Sequence, residues 1–403
     1  MTPDQPTRPC IAIACGGTGG HLFPGLAVAE QLAARGADVT LLISPKEVDQ
    51  QAVKSARGME IVTLPAVALQ RGSRLAFLRG CWQSWRASRR LFRSRPPHAV
   101  LAMGGFTSAP PILAARQFGA IAFLHESNTI PGRANRWLAR FVDEAFVGFP
   151  QAAGRLQVRE ATVTGTPVRS QFQPHDSAAC RVALELDPAQ PVLLVMGGSQ
   201  GANGINDLIR AALPVLAQRV PHWQWLHLTG PQDTDKVKHA YATLGVKAVV
   251  RPFLAEMELA LGAATAAVSR AGAASLAELA ALRLPSLLVP FPYAADNHQW
   301  HNAAAFAETG AARSLEQKDA TPGKVAGILQ ELVENEAARE KIQIALAQWH
   351  APKAAEQIAE MILKTVARSA DSFVRANQPP IGAGGQQNSP RSDVLEQRAV
   401  TAA

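Results

Sequence analysis

The sequence is poor in cysteine, and the few that it has show no short paired spacing. They are Cys10, Cys15, Cys81 and Cys180, in a chain of 403 residues. This pattern supports neither a disulfide framework nor a structural zinc site. Long apolar runs are also missing, since none approaches the roughly 18 residues of a membrane-spanning helix. The N-terminal segment MTPDQPTRP lacks the charged-then-apolar order of a signal peptide, and we therefore expect a cytoplasmic protein.

Acidic residues are scarce relative to basic ones. The chain has 40 lysines and arginines against 32 aspartates and glutamates, which gives a formal net charge of +8. Such an excess is typical of proteins that bind an anionic partner, which can be nucleic acid, a phosphate-bearing substrate or acidic lipid. Apolar residues are abundant at 47%, enough for the cores of two domains of ordinary size.

Short apolar runs such as IAIA, DVTLLIS and VLLVM alternate with segments of helical period along the chain. This alternation predicts βα units and parallel sheets, hence an α/β fold with two Rossmann-like domains. We expect the N-terminal domain at 1–168 and the C-terminal domain at 169–350. Residues 351–368 are predicted to form a C-terminal helix that packs back on the first domain. Residues 369–403 are rich in Gly, Pro and Gln and are predicted to be a disordered tail.

Three glycine loops follow predicted strands: GGTGG at 16–20, MGGFTSAP at 103–110 and MGGSQGANGIN at 196–206. Glycine lets the backbone turn tightly and lets a ligand approach, and the helix start that follows favours an anion. The carboxyl ends of parallel strands share one sheet edge, so the loops predict a ligand site in the cleft between the domains. A single such loop could equally be a tight βα turn with a locally packed histidine. The GxGxxG and GK[ST] patterns are absent, which disfavours a dehydrogenase or a P-loop protein.

Two further stretches carry polar side chains beside predicted strands. Ser275 and Glu278 fit an S-x-x-E capping box, which alone would explain both residues, while the same carboxylate is suited to accept two ribose hydroxyls. After the strand LLVPF comes a polar cluster: Asp296, Asn297, His298, Gln299 and Asn302. It can bind several sugar hydroxyls, or it can be a hydrated helix start.

Taken in order, seven stretches resemble the MurG family of N-acetylglucosaminyltransferases. They are GGTGGHLFPGLAVAEQL, MGGFTSAP, HESNTIPGRANRWLA, TGTPVR, MGGSQGANGIN, SRAGAASLAE and DNHQWHNA, between about residues 11 and 365. That family transfers GlcNAc from UDP-GlcNAc to undecaprenyl-pyrophosphoryl-MurNAc-pentapeptide (lipid I), which makes lipid II for the bacterial cell wall. The resemblance implies a GT-B fold and no cofactor or metal. HESN has Ser127 where family members often have glutamine, so the acceptor side is expected to differ in detail.

The resemblance also implies a set of donor contacts. They are Thr18, Gly19, Gly20, Asn128, Arg169, Ser199, Leu254, Ala273, Ala274, Ser275, Leu276, Ala277, Glu278 and Gln299. Within this set it implies that Glu278 binds the ribose, that Gln299 binds the sugar and that Arg169 stabilises the departing UDP. The backbone at Leu254 is expected to meet the uracil.

The reaction implied is inverting transfer to the C4 hydroxyl of MurNAc, which needs a general base. His21 is the first choice because its loop belongs to the acceptor-side domain and faces the cleft; His125 and Glu126 are the alternatives. The sequence DTD at Asp233–Asp235 matches the metal-binding motif of some sugar transferases, but aspartate is common at helix starts and the resembled family does not use that motif.

The basic charge is concentrated in residues 69–95, where eight arginines are interleaved with apolar residues and no acidic residue occurs. We expect a membrane contact at Leu75, Phe77, Leu78, Trp82, Trp85, Arg86 and Arg89. The acceptor of the resembled family is a lipid, which favours an anionic membrane surface over an ordinary solvated helix face. Nucleic acid is disfavoured, since no recognised binding fold accompanies the segment.

These expectations describe a peripheral enzyme on the cytoplasmic face of the bacterial inner membrane, with UDP-GlcNAc, lipid I and other cell-wall synthesis proteins as partners. Two alternatives share the architecture: a nucleotide-sugar epimerase and a non-catalytic UDP-sugar-binding protein. The epimerase would not need a surface of arginines and aromatic residues.

Overall fold

The computed structural model describes residues 8–46, 49–50, 53, 58–65, 74–198 and 201–376. The chain divides into two compact units, Met1–Val366 and Ala367–Ala403, and both β-sheets belong to the first. Of the second unit, the described residues form the end of a long helix.

The first sheet is built from parallel strands. They are β1 Cys10–Ala14, β2 Asp38–Ile43, β3 Glu60–Thr63, β4 Ala99–Ala102, β5 Ile121–Glu126, β6 Glu144–Val147 and β7 Ala161–Val163. Within the described residues their order is β3-β2-β1-β4-β5-β6-β7. On β1, Ile13 pairs with Leu41 and Leu101. The central strands are short apolar runs because helices cover both faces of such a sheet.

The second sheet repeats this arrangement. Its strands are β8 Val192–Met196, β9 Gln224–Leu228, β10 Ala248–Arg251, β11 Ala266–Ser269, β12 Ser286–Leu288 and β13 Arg313–Ser314. In the part of the chain described, their order is β10-β9-β8-β11-β12-β13 and every pair is parallel. Both orders reverse beside the first strand, which is the switch point of a doubly wound sheet. The predicted α/β architecture with two Rossmann-like sheets is confirmed.

Helices connect the strands in both halves. In the first they are α1 Gly19–Ala34, α2 Arg74–Ser94, α3 Ala109–Arg116, α4 Arg133–Leu138 and α5 Pro150–Ala153. They are followed by α6 Ser177–Ala183, α7 Asn203–Arg219, α8 Thr234–Thr243, α9 Met257–Ala263, α10 Ala273–Ala281, α11 His298–Glu308, α12 Pro322–Glu334, α13 Glu336–Trp349 and α14 Ala354–Ala376. On α1, Leu22, Leu26 and Ala29 are buried, as a helix with one apolar stripe requires.

The first sheet has a hydrophobic core on each face. Ile11 and Ile13 belong to one core cluster and Ala12 and Ala14 to the other, because successive side chains of a strand point to opposite faces. Helix α14 adds its apolar stripe to the cluster of Ile11 and Ile13. The stripe consists of Ala355, Ile358, Ala359, Ile362 and Val366.

The C-terminal helix is longer than the sequence predicted. It was expected at 351–368, whereas α14 begins at Ala354 and continues to Ala376. The segment that follows residue 368, SADSFVRA, contains no glycine or proline, and the first proline after it is Pro379. Nothing in that segment therefore stops the helix. The predicted tail at 369–403 starts too early, and residues 377–403 lie outside the described residues.

Candidate active site

A pocket of about 250 Å³ lies at the carboxyl ends of the strands, where the loops after β1, β8, β10 and β11 meet. Nine of the expected donor contacts line it: Thr18, Gly19, Gly20, Arg169, Leu254, Ala274, Ser275, Glu278 and Gln299. Glycines of two loops contribute backbone, including Gly197 and Gly198 before α7. The pocket therefore combines close backbone approach with a cation and a carboxylate from different elements.

Four of the other five expected donor contacts do not line this pocket. Leu276 is 1% exposed and, with Ala273, belongs to the core of the second half, because consecutive helical residues point about 100° apart. Ala277 lies on the same helix between them and Glu278. Asn128 lies in the loop after β5, and Ser199 is outside the described residues.

The capping box expected at Ser275 and Glu278 is wrong. Helix α10 begins at Ala273, and the residue preceding it, Gly272, is extended at the helix start. Ser275 and Glu278 are thus the third and sixth residues of the helix, one turn apart and too late to cap it. Helix capping therefore does not explain Glu278, whose side chain lines the pocket.

The carboxyl of Glu278 is held in an unusual state for a glutamate. Burial raises its pKa to about 7, while the charge of Arg169 lowers it and that of Glu258 raises it further. A carboxyl that is close to half ionised at neutral pH gains from hydroxyl donors, because they stabilise its charged form.

Arg169 is fixed by aromatic rings. Its guanidinium lies over Phe23, at 4.3 Å from the ring centroid, and over Phe172 at 5.0 Å. Its Nε is buried without a hydrogen-bond partner. Stacking of this kind leaves the in-plane N–H donors free, so the group is prepared for an anionic ligand. The sequence motif identified Arg169 but gave no signal for the two phenylalanines.

The glycine turn after β1 is clamped by residues that the sequence analysis missed. Gly17 has φ of 115°, its N–H donates to Asp49 Oδ2 at 2.7 Å, and its carbonyl oxygen accepts from Lys46 Nζ at 2.7 Å. Thr107, from the loop after β4, donates to the carbonyl oxygen of Gly16 at 2.5 Å. These contacts fix the turn that carries Thr18 and His21. No motif contained Asp49 or Lys46, because they come from the loop after the neighbouring strand β2.

His21 lies in this turn against the glycines of the loop after β4. A methyl group on Gly104 or Gly105 would approach the imidazole to 3.1 Å, so both positions suit glycine. His21 Nδ1 lies 3.2 Å from Thr18 Oγ1. Burial lowers the pKa of His21 to about 4; the charge of Asp49 raises it, and those of His298 and Lys46 lower it. The imidazole is therefore neutral at pH 7.

The two alternative bases are committed to the structure of their loop. His125 is fully buried between the carbonyl oxygen of Gly165 and the hydroxyl of Ser127, each at 3.2 Å, and burial lowers its pKa to about 4. Glu126 accepts hydrogen bonds on both oxygens, from Asn128 on one and from Gly132 and Asn135 on the other. Both ring nitrogens of His125 and both carboxylate oxygens of Glu126 thus have hydrogen-bond partners in the loop, whereas the hydrogen bond of His21 involves Nδ1 alone.

The polar cluster before and within α11 divides its contacts between the two halves. Asn302 is fully buried; its Oδ1 accepts from the N–H and hydroxyl of Thr129, and its Nδ2 donates to Asn128 Oδ1 and to the carbonyl oxygen of Ala271. Asn128 therefore contacts the second half through Asn302.

Asp296 and Gln299 serve different sides of the same turn. Asp296 forms ion pairs with Arg133 at 3.0 Å and Arg136 at 2.6 Å, and it has a left-handed backbone with φ of 50°. Gln299 Oε1 accepts hydrogen bonds from the N–H groups of Ala271 and Phe291. The amide nitrogen of Gln299 is therefore the group that can donate to a ligand in the pocket. The sequence left open whether this cluster binds sugar or is a hydrated helix start; in the structure Gln299 lines the pocket and Asp296 holds the turn.

Comparisons with known proteins agree with this geometry. The glycosyltransferase family 28 N-terminal domain matches residues 11–147, and the family 28 C-terminal domain matches residues 192–358. The chain belongs to glycosyltransferase family 28.

Curated relatives in this family share one name. UDP-N-acetylglucosamine--N-acetylmuramyl-(pentapeptide) pyrophosphoryl-undecaprenol N-acetylglucosamine transferase of Anaeromyxobacter dehalogenans is 36% identical, with 92% of this chain and 96% of the relative covered. The protein of that name from Xanthomonas axonopodis pv. citri is 38% identical over 90% of this chain and 83% of the relative.

Solved structures give the same grouping. MurG of Acinetobacter baumannii superposes with a TM-score of 0.69 at 26% identity, covering 89% of this chain and 99% of the other. A UDP-N-acetylglucosamine 2-epimerase of Listeria monocytogenes reaches 0.65, but at 14% identity, which shows a shared fold alone; it covers 92% of this chain and 98% of the other. The expected GT-B fold and the resemblance to MurG are confirmed, and the epimerase alternative is not favoured.

The DTD sequence has a structural role. Asp233 is buried at the start of α8 and accepts a hydrogen bond from Asn206 Nδ2 at 2.9 Å, while Asp235 lies in the first turn of the helix. Among the described residues, no group of three histidines, cysteines, aspartates or glutamates is arranged to hold a metal ion.

Helix α2 carries an exposed apolar stripe. Leu75, Leu78 and Trp82 are 84%, 61% and 54% exposed, at spacings that place them along one face of the helix. Arg86 lies over the ring of Trp82 and Arg89 over that of Trp85, at 5.2 and 5.6 Å. Trp85 also packs against the core and Phe77 is half-buried, so these two rings anchor the stripe. In the described ranges, no helix combines the length and apolar character needed to cross a membrane.

Proposed function

We propose that the protein transfers GlcNAc from UDP-GlcNAc to the C4 hydroxyl of MurNAc in lipid I, and so makes lipid II and UDP. The observation that carries this proposal is the pocket in which Arg169, Glu278 and Gln299 meet the glycine loops at the carboxyl ends of both sheets. The identity to curated transferases over nine-tenths of the chain supports the same substrates.

Each part of the donor has a matching group in the pocket. Glu278 accepts the two ribose hydroxyls, and Leu254 lies at the end that meets the uracil. Arg169 and the start of α7 bind the diphosphate, since a cation and a helix N-terminus both stabilise phosphate. Gln299 donates to the sugar through the amide nitrogen left free by its backbone contacts.

Five further donor contacts complete this proposal. Thr18, Gly19 and Gly20 offer close backbone approach at the sugar, and Ser199 adds a hydroxyl beside the diphosphate. Asn128 acts through the Asn302 bridge, which holds it between the two halves.

In the transfer step, the C4 hydroxyl oxygen of MurNAc attacks the anomeric carbon of GlcNAc from the face opposite UDP. The new C–O bond forms as the bond from that carbon to the β-phosphate oxygen breaks, and His21 takes the hydroxyl proton. With the Nδ1 proton donated to Thr18 Oγ1, 3.2 Å away, Nε2 of the neutral imidazole is the accepting atom. The negative charge that develops on UDP is stabilised by Arg169.

The protein acts as a peripheral enzyme on the anionic cytoplasmic face of the inner membrane. The stripe of Leu75, Leu78 and Trp82 enters the headgroup level, and the flanking arginines pair with acidic lipid. This contact brings the pocket to a substrate that is itself anchored in lipid, and to other cell-wall synthesis proteins that work there.

Transfer of labelled GlcNAc from UDP-GlcNAc to a short-chain lipid I analogue tests the proposal. We expect a disaccharide product and stoichiometric UDP. Tight UDP-GlcNAc binding without product would instead favour the non-catalytic UDP-sugar-binding protein. Conversion of UDP-GlcNAc to its 2-epimer without acceptor would favour an epimerase.

A further inference from the structure

Arg270 is a buried cation at the donor pocket, and not all of its N–H groups are used in hydrogen bonds. It follows β11, lines the pocket and is only 7% exposed. Its Nη1 donates to the carbonyl oxygens of Val289 and Pro290 at 3.0 and 3.1 Å. Its Nε is buried and finds no hydrogen-bond partner among the described residues. Burial lowers its pKa to about 10, so the guanidinium stays charged at neutral pH and is ready for an anion.

A glutamine from a distant turn holds this arginine. Arg270 Nη2 donates to Gln317 Oε1 at 2.9 Å. Gln317 begins the short 3-10 turn Gln317–Asp319, which follows the edge strand β13. Because arginine only donates, the amide oxygen must face Arg270, and the amide nitrogen keeps both hydrogens to donate elsewhere.

The same amide lies against the first turn of α7. A methyl group on Gly204, the second residue of that helix, would lie closest to Gln317 Oε1, then 2.7 Å from its Nε2 and 2.8 Å from its Cδ. Among the described residues, no side chain caps the amino end of α7, whose preceding residue is Ala202. The N–H of Ile205 donates to the carbonyl oxygen of Ala202, which leaves the N–H groups of Asn203 and Gly204 for an anion, next to the pocket-lining Gly197 and Gly198.

We propose that Gln317 is a positioning residue for the donor diphosphate. Its amide group holds Arg270 beside the amino end of α7, so that a cation and a helix N-terminus face the same phosphates. An arginine already held in its binding position loses less conformational freedom when the donor arrives. The inference rests on the proposed use of UDP-GlcNAc.

Replacement of the amide gives the first test. Gln317→Ala should raise both the KM for UDP-GlcNAc and the Kd of UDP about tenfold, which corresponds to ~1.4 kcal/mol, with little change in kcat. Unchanged KM and Kd in this variant would overturn the proposal.

Gly204→Ala displaces the amide without changing Gln317. The added methyl meets the far end of a flexible side chain, and alanine is favourable in a helix, so the fold is retained. We expect the same tenfold weakening, and the double variant should be no weaker than the worse single variant because both break one contact. Additive effects would contradict the shared contact. The matched control is Gly323→Ala, which alters the second residue of α12, where a methyl meets nothing within 4 Å.

Gln317→Glu separates positioning from simple structural support. The carboxylate still accepts from Arg270, so Tm should be kept, but its charge offsets the cation and repels phosphate, so UDP should bind more weakly. Wild-type UDP affinity in this variant would assign Gln317 a purely structural role and overturn the proposal. Wild-type protein that fails to bind UDP-GlcNAc would overturn the proposed function together with this inference, whereas normal wild-type binding with unaffected variants overturns the inference alone.

Discussion

Glu278 links donor binding to proton concentration. The ribose hydroxyls can both donate only to the ionised carboxylate, and burial has raised the pKa of this group to about 7. Below that pH the carboxyl of the unliganded protein is protonated, so donor binding must release a proton. The affinity for UDP-GlcNAc should therefore increase as pH rises toward and through 7, by up to about tenfold per pH unit on the acid side.

Glu278→Gln should remove this pH dependence and weaken donor binding about 10- to 100-fold, since hydrogen bonds to a charged group are lost. Calorimetric titration with UDP-GlcNAc between about pH 6 and 8 measures both effects. Glu308→Gln, at an exposed position on α11, is the matched control. A wild-type affinity that does not change with pH would contradict the ribose role.

His21 should control turnover and leave donor affinity intact. His21→Ala is expected to lower kcat by about 10² to 10⁴, the range for loss of a general base, with the KM for UDP-GlcNAc little changed. His239→Ala, on the exposed side of α8, should be as active as the wild type. Steady-state kinetics with a lipid I analogue measure both. Near-normal turnover of His21→Ala would move the base to His125 or Glu126.

Sequence predicted the pocket groups that follow strands in recognisable loops, such as Arg169, Glu278 and Gln299. It could not predict their partners. Phe23 and Phe172, which fix Arg169, belong to different elements, and Gln317 reaches Arg270 from 47 residues away. Such pairs depend on how elements pack, which no local pattern records.

At the scale of elements, α2 is a helix whose outer face is more apolar than packing requires. Leu78→Asp combined with Trp82→Asp should abolish binding to vesicles that contain anionic lipid while leaving Tm unchanged, because both side chains are more than half exposed. Ile344→Asp, which is 68% exposed on α13, is the matched control and should bind as the wild type. Cosedimentation measures the binding. Undiminished binding of the double variant would contradict the membrane role.

The boundaries of elements were less predictable than their existence. The S-x-x-E pattern suggested a helix start at Ser275, yet α10 starts at Ala273 because Gly272 already provides the extended residue before it. Likewise, polar composition suggested an early end for α14, which continues to Ala376 because the segment after residue 368 contains no glycine or proline. Both differences arose because one local signal was chosen over another.

For the whole molecule, buried histidines should make stability depend on pH. His21, His125 and His227 have pKa values lowered by burial to about 4, 4 and 3. Between these values and the ordinary 6.5, the unfolded chain binds protons that the folded protein does not, so stability falls as pH falls. Glu278 acts in the opposite direction, because its raised pKa makes the folded protein hold a proton between about pH 4.5 and 7.

Three histidines against one glutamate leave a net difference of about two protons near pH 5.5. The free energy of unfolding should therefore decrease by roughly 2–3 kcal/mol per pH unit in that region. Urea unfolding at about pH 5, 6 and 7.5 measures the change. Equal or greater stability at pH 5 would contradict the burial of these imidazoles in neutral form.

The two-sheet architecture could be predicted from the alternation of apolar runs and helical segments, because parallel sheets need both. The contacts between the two halves could not be predicted from the sequence. Asn302 reaches Thr129 and Asn128, and Asp296 pairs with Arg133 and Arg136, only once the halves are closed on each other. These contacts join the two halves, and no sequence motif spans them.

The central claim is inverting transfer of GlcNAc to the muramyl C4 hydroxyl, and the anomeric configuration of the product tests it most directly. Purified protein, UDP-GlcNAc and a lipid I analogue are incubated together, and the isolated disaccharide is examined by NMR. Attack on the α-linked donor from the face opposite UDP predicts a β-linked GlcNAc on C4 of MurNAc. An α-linked product, a different linkage position or release of free GlcNAc alone would contradict the account.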